Sequence, residues 1–251
     1  MTKISVIIPT YNEQDNIIEA IKSIDFADEI IIVDSFSKDN TVFLAKPLAN
    51  KILQREYIHS ASQKNWAIPQ AKHEWVLILD ADERVTSRLK NEILTTINSN
   101  KKYSAFWIKR QNYFMNKKIS FSGWQKDKVI RLFKRDENKY EDKHVHAEII
   151  SKGKIGILKN KLIHNTFKSK KDYLRKIDFY AQLQAKDYDK TTKRITFFHT
   201  IAKPMFRFFK HYIINLGFLD GYIGFMISFY QLKAVKMRYE YLKEYRESKR
   251  N

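Results

Sequence analysis

The chain contains no cysteine, only six glycines and four prolines, and far fewer acidic than basic residues. Without cysteine there is no disulfide framework and no thiolate metal site, which is typical of proteins in a reducing compartment. None of the glycines precedes Gly123, so the glycine-rich phosphate loops of dinucleotide-binding and P-loop folds are excluded from the amino-terminal half. A phosphate group bound there must therefore be neutralised by a metal ion and by side chains.

The shortage of acidic residues is confined to one end of the chain. Residues 1–150 contain 24 Lys and Arg against 20 Asp and Glu, whereas residues 151–251 contain 23 against 8. The net charges are therefore +4 and +15. This asymmetry indicates an ordinary globular domain followed by a basic attachment with a separate purpose.

Three apolar runs in the amino-terminal half end in polar residues and are each followed by a helix-like segment. The runs are Ile4–Pro9, Glu29–Asp34 and Trp75–Leu79. This alternation is typical of βαβ units with right-handed crossovers. We therefore predict an α/β fold with a mostly parallel, twisted sheet over residues 1–165, in which Pro9 ends the first strand. A basic helical extension is predicted for residues 166–251.

Carboxylates lie at the ends of the second and third runs. Asp80 and Asp82 come after the third run, and Asp34 is the last residue of the second. Ligands of parallel sheets gather at the carboxyl ends of strands, so these acids should face a cleft. Oxygen ligands suit Mg²⁺ or Mn²⁺, which bridge a few carboxylates to substrate phosphates. The alternative is an acidic, solvated turn that caps the next helix.

Residues 4–165 resemble the nucleotide-sugar half of family 2 glycosyltransferases, and in particular the branch that contains lipopolysaccharide-core β-1,4-glucosyltransferases. The match is carried by VIIPTYNE (Val6–Glu13), EIIIVDSFSKDNT (Glu29–Thr41) and ASQKNWAIPQAKHEWVLILDADE (Ala61–Glu83). The resemblance implies a GT-A fold, a nucleotide-diphosphate sugar donor, dependence on Mg²⁺ or Mn²⁺, and inversion at the anomeric carbon.

The resemblance also implies roles for individual residues. Asp80 and Asp82 match the DXD pair, of which Asp82 is the more direct metal ligand. In donor binding, the resemblance places Pro9, Tyr11 and Glu13 around the base and ribose. Asp34 matches the acid that recognises the base or ribose, and Ser35 and Ser37 lie beside it. Lys64 and Asn65 match positions near the diphosphate or sugar. Arg131 is a candidate for the wall of the sugar pocket.

An inverting transfer also needs a general base for the acceptor hydroxyl. The segment Tyr140–Glu148 concentrates acids and imidazoles after an apolar strand. Related enzymes often have a VHE-like motif here, whereas this chain reads VHAE. We expect Glu148 to be the base, Asp142 to be the second candidate, and His146 to position the acceptor or phosphate. Zinc binding by His144 and His146 lacks further ligands of suitable spacing.

The carboxyl-terminal region mixes aromatic and aliphatic residues with lysine and arginine, as interfacial helices on anionic lipid do. Residues 212–230 are about long enough to span a bilayer, but Asn215, Asp220 and three glycines make spanning costly. Packing as ordinary soluble helices is the third option. GFLDGYIGF (Gly217–Phe225) also resembles the glucosyltransferase branch, which acts at the cytoplasmic membrane face.

The sequence therefore predicts a hexosyltransferase, with UDP-glucose as the expected donor and a glycolipid such as the lipopolysaccharide inner core as acceptor. We expect a cytoplasmic protein held peripherally on the inner face of the membrane, because no signal segment is recognised. A polyprenyl-phosphate acceptor and a non-catalytic nucleotide-sugar-binding adaptor are the alternatives. Nucleic-acid binding is not expected, since no recognised motif accompanies the basic charge.

Overall fold

The computed structural model describes residues 1–99, 102–142, 147–167 and 169–249. The chain forms two compact units. The first unit contains residues 1–110 and 128–164, and the second contains residues 111–127 and 165–251. The predicted architecture, an α/β domain of the GT-A kind followed by a helical region, is confirmed.

Twelve strands and seven α-helices are found in the described residues. The strands are β1 Ile4–Thr10, β2 Glu29–Asp34, β3 Lys51–Gln54, β4 Trp75–Ile78, β5 Glu83–Arg84, β6 Tyr103–Phe114, β7 Lys117–Lys118, β8 Lys128–Lys134, β9 Asn138–Tyr140, β10 Ile149–Ser151, β11 Lys154–Ile157 and β12 Leu162–Phe167. The helices are α1 Ile17–Lys22, α2 Thr41–Ala45, α3 Ser60–Ala67, α4 Ser87–Ser99, α5 Lys170–Thr191, α6 Lys203–Phe209 and α7 Gly221–Ser248.

The sheet of the first unit is mixed. Strands β3, β2, β1 and β4 lie side by side in that order and are all parallel. Next to β4 comes β8, which is antiparallel to both β4 and β6. The parallel half is the part that the sequence predicted, and the antiparallel half adds Arg131 of β8 beside the carboxyl-terminal half of β4.

The sheet is covered on both faces by apolar residues that alternate along the strands. Ile4, Val6 and Ile8 of β1 belong to the core formed with α1 and α4. Ile7 lies in a second core, with Ile31 of β2 and residues of α3. Because successive side chains point to opposite faces, one fully apolar strand can serve both cores. This double burial explains why the predicted strands are continuous apolar runs.

The carboxyl ends of β1, β2 and β4 meet at one edge of the sheet. The prediction that Pro9 ends β1 is wrong, since the strand continues to Thr10, which pairs with Asp34 at the end of β2. Proline lacks an N–H group, but it still accepts a hydrogen bond through its carbonyl, so a ladder can pass it. The hydrogen bond from Leu79 N to Ile7 O, 3.0 Å long, continues the pairing of β4 towards Asp80.

The second unit is built from long helices. α5 begins after Ser169, whose hydroxyl accepts a hydrogen bond from the Asp172 amide, and it packs along α7. The segment Phe198–Ile214, with α6 at its centre, also packs against α7. Pro204 stands in the first turn of α6, where a missing N–H is tolerated, so it does not interrupt the helical path.

Asp220 fixes the bend that precedes α7. Its carboxylate accepts hydrogen bonds from the amides of Ser120 and Phe121, each 3.0 Å long, and from the Ser122 hydroxyl at 2.8 Å. His211 adds a 2.8 Å hydrogen bond between its Nδ1 atom and the Ser122 carbonyl. These contacts explain why residues 111–127 belong to the second unit.

Gly224 is required where α7 passes the preceding turn. A Cβ atom at this position would lie 1.8 Å from the carbonyl oxygen of Gly217, which is far inside van der Waals contact. We expect Gly224→Ala to lower the free energy of unfolding by about 1–3 kcal/mol, because the backbone must shift to admit a methyl group. Thermal unfolding measures the effect. Lys236→Ala, at an exposed position on the same helix, is the control, and equal melting temperatures for the two variants would contradict the close approach.

Candidate active site

Asp80 is held between two cations. The Nζ atom of Lys64 lies 3.0 Å from its Oδ1 atom, and the guanidinium of Arg131 donates a hydrogen bond to Oδ2. Burial alone would raise the pKa of Asp80, but the charges of Arg131 and Lys64 outweigh it and hold the pKa well below its usual range. Asp80 is therefore a carboxylate at any physiological pH.

Glu83 stabilises this arrangement through buried hydrogen bonds. It is fully buried, and its Oε1 atom accepts a 2.8 Å hydrogen bond from Arg131 while Oε2 accepts a 3.0 Å hydrogen bond from the Asp80 amide. Arg110 approaches the same Oε1 atom at 3.4 Å. Because Arg131 joins both carboxylates, the turn after β4 is fixed in position.

Asp82 lies on the other side of this turn, next to His164. Strand β12 runs antiparallel to β5, and this register pairs His164 with Glu83. The imidazole Nε2 atom consequently lies 3.5 Å from Asp82 Oδ2, although 82 positions separate the two residues in the sequence. About a quarter of the Asp82 side chain is exposed.

The side chains present fit a divalent cation that is shared with a diphosphate. Within the residues that the structure describes, no three His, Asp or Glu side chains form a complete metal cage. Mg²⁺ bound with a nucleotide takes only one or two protein carboxylates, and phosphate oxygens and water complete its shell. A carboxylate oxygen of Asp82 is a suitable ligand for Mg²⁺ or Mn²⁺, and the nearby imidazole of His164 is a softer nitrogen donor that suits Mn²⁺ better than Mg²⁺. Both oxygens of Asp80, by contrast, already contact cationic groups.

Asp34 occupies the end of β2, but its carboxylate is fully buried. It accepts hydrogen bonds from the Ser37 amide and hydroxyl, from Gln54 Nε2 at 3.1 Å, and from the Thr10 hydroxyl at 3.4 Å. These donors hold the strand ends together. The adjacent Ser35, rather than Asp34 itself, lines the open space beside the sheet.

That open space is a small cleft of about 140 Å³ at the carboxyl edge of the parallel strands. Tyr11 is half exposed on one wall. Glu13 lies further along the same loop, where its Oε2 atom accepts a 2.6 Å hydrogen bond from Asn16. The residues that line the cleft are Pro9, Thr10, Tyr11, Ser35, Tyr57, Ser60, Gln63, Lys64 and Asp80.

Lys64 and Asn65 are adjacent in α3 but make different contacts. Lys64 lines the cleft and contacts Asp80. The Asn65 amide donates to the Tyr140 carbonyl at 2.9 Å and accepts from the Tyr140 amide at 2.8 Å. Asn65 therefore fastens β9 to α3, and Lys64 is the residue of the pair that faces the cleft.

The candidate bases lie on either side of a part of the chain that is not described. Asp142 is largely exposed, and its Oδ1 atom lies 3.2 Å from Nε2 of His59. His59 accepts a hydrogen bond from the Ser62 amide through Nδ1, so its Nε2 atom carries the proton that faces Asp142. Glu148 is exposed, and its backbone pairs with that of Glu141. His146 lies outside the described residues.

Three residues near the site were not identified from the sequence. His164 and His59 stand alone in their segments, and nothing in the spacing connects them with the acids that they contact. Gln63 is buried and lines the cleft, and it donates a 3.1 Å hydrogen bond to the Ser35 hydroxyl. Its Oε1 atom accepts no hydrogen bond from the described residues. The only available signal for Gln63 was its position next to Lys64.

The lowered pKa of Asp80 makes stability depend on pH. A carboxyl group whose pKa is lower in the folded protein stabilises the fold above its unfolded pKa of about 3.9, and this contribution is lost as the pH falls further. We expect the free energy of unfolding to decrease from about pH 5 to pH 3, and Asp80→Asn to make this decrease shallower. Urea unfolding across the pH series measures it, with exposed Asp25→Asn as the control. An unchanged slope in Asp80→Asn would contradict the ion pairing.

Comparison with known proteins gives a consistent assignment. The model of glycosyl transferase family 2 matches residues 5–155. An uncharacterised glycosyltransferase of Rickettsia typhi is 29% identical over 263 residues, covering 100% of this chain and 90% of the relative. The lipopolysaccharide core biosynthesis glycosyltransferase LpsC of Rhizobium meliloti is 24% identical over 255 residues, covering 94% of each chain. A crystal structure of S. aureus TarS 1-349 has 16% identity and a TM-score of 0.47, covering 98% of this chain and 92% of that chain. The motif-based prediction is confirmed, and the chain belongs to glycosyltransferase family 2.

Proposed function

We propose that this glycosyltransferase moves glucose from UDP-glucose to a lipid-anchored glycan such as the lipopolysaccharide inner core, with inversion at the anomeric carbon. The observation that carries the proposal is the Asp80 carboxylate held by Lys64 and Arg131 at the edge where β1, β2 and β4 end. Asp82 and His164 lie beside it. This combination of acids and cations suits a nucleotide diphosphate better than an uncharged ligand.

The donor would occupy the cleft beside these strand ends. Tyr11 and Pro9 offer an aromatic and an apolar wall for the base. Ser35 and Gln63 offer a hydroxyl and an amide, and the buried Oε1 atom of Gln63 would gain a donor from a base N–H group. Lys64 contributes a positive charge from α3 towards the phosphates. The glycine-free loops support this reading, because side chains take the role that backbone amides have elsewhere.

Asp82 would hold the Mg²⁺ or Mn²⁺ ion, and with Mn²⁺ the imidazole of His164 would add a nitrogen ligand. A divalent cation bound there stabilises the negative charge that develops on the departing diphosphate by several kcal/mol. The protein's own contribution is to keep Asp82 at a fixed position on the turn that Glu83 and Arg131 anchor. The cationic groups of Lys64 and Arg131 add further positive charge near the proposed diphosphate site.

The general base is Glu148 or Asp142. Glu148 is our first candidate because the resemblance of the VHAE segment to a VHE-like motif points to it. The contact with His59 supports Asp142, since an imidazole N–H orients a carboxylate and His59 precedes the cleft-lining Ser60. In either case the carboxylate would take the proton from the acceptor hydroxyl on the face of the sugar opposite the diphosphate.

The acceptor and the location of the protein follow from its relatives and from its second unit. The relationship to LpsC supports a lipopolysaccharide core acceptor. A lipid-anchored acceptor requires the enzyme to work at a membrane surface, and the basic carboxyl-terminal helices suit an anionic bilayer. We therefore propose that the protein is cytoplasmic and is peripherally attached to the inner face of the cytoplasmic membrane.

Asp82→Ala tests the metal role. We expect turnover to fall by about a hundredfold or more, because the lost charge stabilisation is worth several kcal/mol. The assay combines UDP-glucose and Mn²⁺ with a rough lipopolysaccharide acceptor and detects the product by mass spectrometry. Electron paramagnetic resonance of Mn²⁺ with UDP gives a second readout, in which the variant should bind the ion more weakly. Asp136→Ala, an exposed aspartate of the same unit, is the control. Unchanged turnover and Mn²⁺ binding in Asp82→Ala would refute the role.

Glu148→Gln and Asp142→Asn distinguish the two bases. The variant that lacks the base should lose about 10²–10⁴-fold in turnover while it keeps its affinity for UDP, because a general base acts on the acceptor and not on donor binding. Calorimetric titration with UDP measures the retained affinity. The other variant should stay near the unsubstituted rate. If both variants turn over at the unsubstituted rate, the base lies elsewhere.

A further inference from the structure

The second unit exposes many large apolar side chains along two consecutive helical segments, Phe198–Ile214 and Gly217–Ser248. Among the most exposed are Phe197 at 73%, Tyr222 at 72% and Phe206 at 61%. We use the name apolar face for the exposed large apolar residues of this region. They are Phe197, Phe198, Ile201, Met205, Phe206, Phe209, Ile213, Ile214, Leu216, Phe218, Leu219, Tyr222, Phe225 and Phe229.

The apolar face is organised on both helical segments rather than scattered. On α7 the exposed residues Tyr222, Phe225 and Phe229 follow helical spacing, while the residues between them, such as Ile223 and Ile227, are buried in the unit's own core. The two segments meet at this face, where Phe208 of α6 contacts Phe225 with ring centroids 5.8 Å apart. A surface helix normally turns such residues inward. Exposed apolar side chains that cluster in this way mark an interaction site.

The charges around the apolar face are almost entirely positive. Between residues 190 and 239 the sequence has nine Lys and Arg residues and a single carboxylate, Asp220. Asp220 is already occupied by its hydrogen bonds to residues 120–122. Two copies of this surface would repel each other, so a second copy of the chain is a poor occupant. An anionic bilayer offers both apolar depth and negative charge.

The basic residues at the far end of α7 are engaged within the protein. Arg246 and Lys249 contact Asp189 of α5 at 2.8 and 3.0 Å. The Arg238 guanidinium stacks 4.6 Å from the Tyr188 ring centroid. Lys236 and Lys243 have glutamate partners one helical turn away, at 3.8 and 3.9 Å. The expected role of this segment as a basic adhesive is therefore weakened.

Insertion across the bilayer is a poor fit for the same helices. Among the described residues no single helix is long and apolar enough for a span. Only together do the segments Phe198–Ile214 and Gly217–Ser248 have the length and apolar composition for a span, and a bend of 71° separates them. The bend is held by Asp220 and by buried His211, both polar. A bent pair with its apolar residues on the outside suits the interfacial region of one leaflet.

We propose that the apolar face inserts shallowly into one leaflet of an anionic membrane, and that its aromatic and aliphatic side chains, not the basic end of α7, provide most of the adhesion. This deepens the membrane association proposed above and rests on it. The exposed Lys210 would meet the lipid headgroups from the segment that carries the apolar residues. Adhesion of this kind resists salt, whereas attachment through exposed lysines is screened by it.

Flotation of the full chain with vesicles tests the proposal. The vesicles contain phosphatidylcholine with phosphatidylglycerol and no glycan, so the result does not depend on whether sugar transfer occurs. Two variants are compared. The triple apolar variant carries Phe206→Gln, Phe209→Gln and Tyr222→Gln, and the lysine variant carries Lys243→Gln and Lys249→Gln. Phe43→Gln, an exposed aromatic residue of the first unit, is the matched control. Circular dichroism and UDP titration confirm that each variant is folded.

We expect the triple apolar variant to lose about tenfold or more in vesicle affinity, and the lysine variant and the Phe43→Gln control to lose less than about twofold. The unsubstituted protein should remain bound at about 0.5 M NaCl. Retained binding by the triple variant, or release by salt together with loss in the lysine variant, would overturn the proposal. If the unsubstituted protein does not float at all, both this inference and the membrane association fail, while glycosyl transfer remains separately testable.

Discussion

Asp80 can occupy the end of a buried strand only because Lys64 and Arg131 compensate its charge. Arg131 is itself almost completely buried and is shared with Glu83, so the carboxylates and the guanidinium depend on one another. Removal of one partner from such a cluster leaves an uncompensated charge and typically costs about 3–5 kcal/mol. The cluster therefore forms a rigid support, and its hydrogen bonds fix the position of the turn that carries Asp82. The proposed donor cleft, the proposed metal ligand Asp82 and the ends of the parallel strands all lie beside this cluster.

The parallel strands of the first unit could be predicted from the sequence because each one is specified by a short local pattern of residues. Strands β1, β2 and β4 are buried on both faces, so each is a largely apolar run, and Asp34 and Asp80 stand where two of these runs end. Arg131 was named as a pocket residue, but its contact with Asp80 depends on β8 lying antiparallel to β4, which no local pattern specifies. The same holds for His164, which reaches Asp82 through the pairing of β12 with β5. The internal hydrogen bonds of Asp34 and Asn65 also could not be predicted from the sequence, because most of their partners are distant along the chain.

The second unit shows a different limit of sequence reasoning. Its composition predicted adhesion to an anionic surface, and the excess of lysine and arginine suggested that charge would provide it. Ion pairs between α5 and α7 change that balance, since Asp189 takes up two of the basic residues. The membership of residues 111–127 in this unit likewise depends on Asp220, which binds a loop about a hundred positions earlier. Composition thus reported which groups are available, and the fold decided which of them remain exposed.

A structure of the full chain crystallised with UDP and Mn²⁺ tests the central claim most directly. The anomalous signal of the ion should lie about 2.1 Å from a carboxylate oxygen of Asp82. The diphosphate should lie beside Lys64, and the uracil should occupy the cleft lined by Tyr11 and Ser35. A manganese ion or a uridine bound away from the turn after β4 would contradict the account.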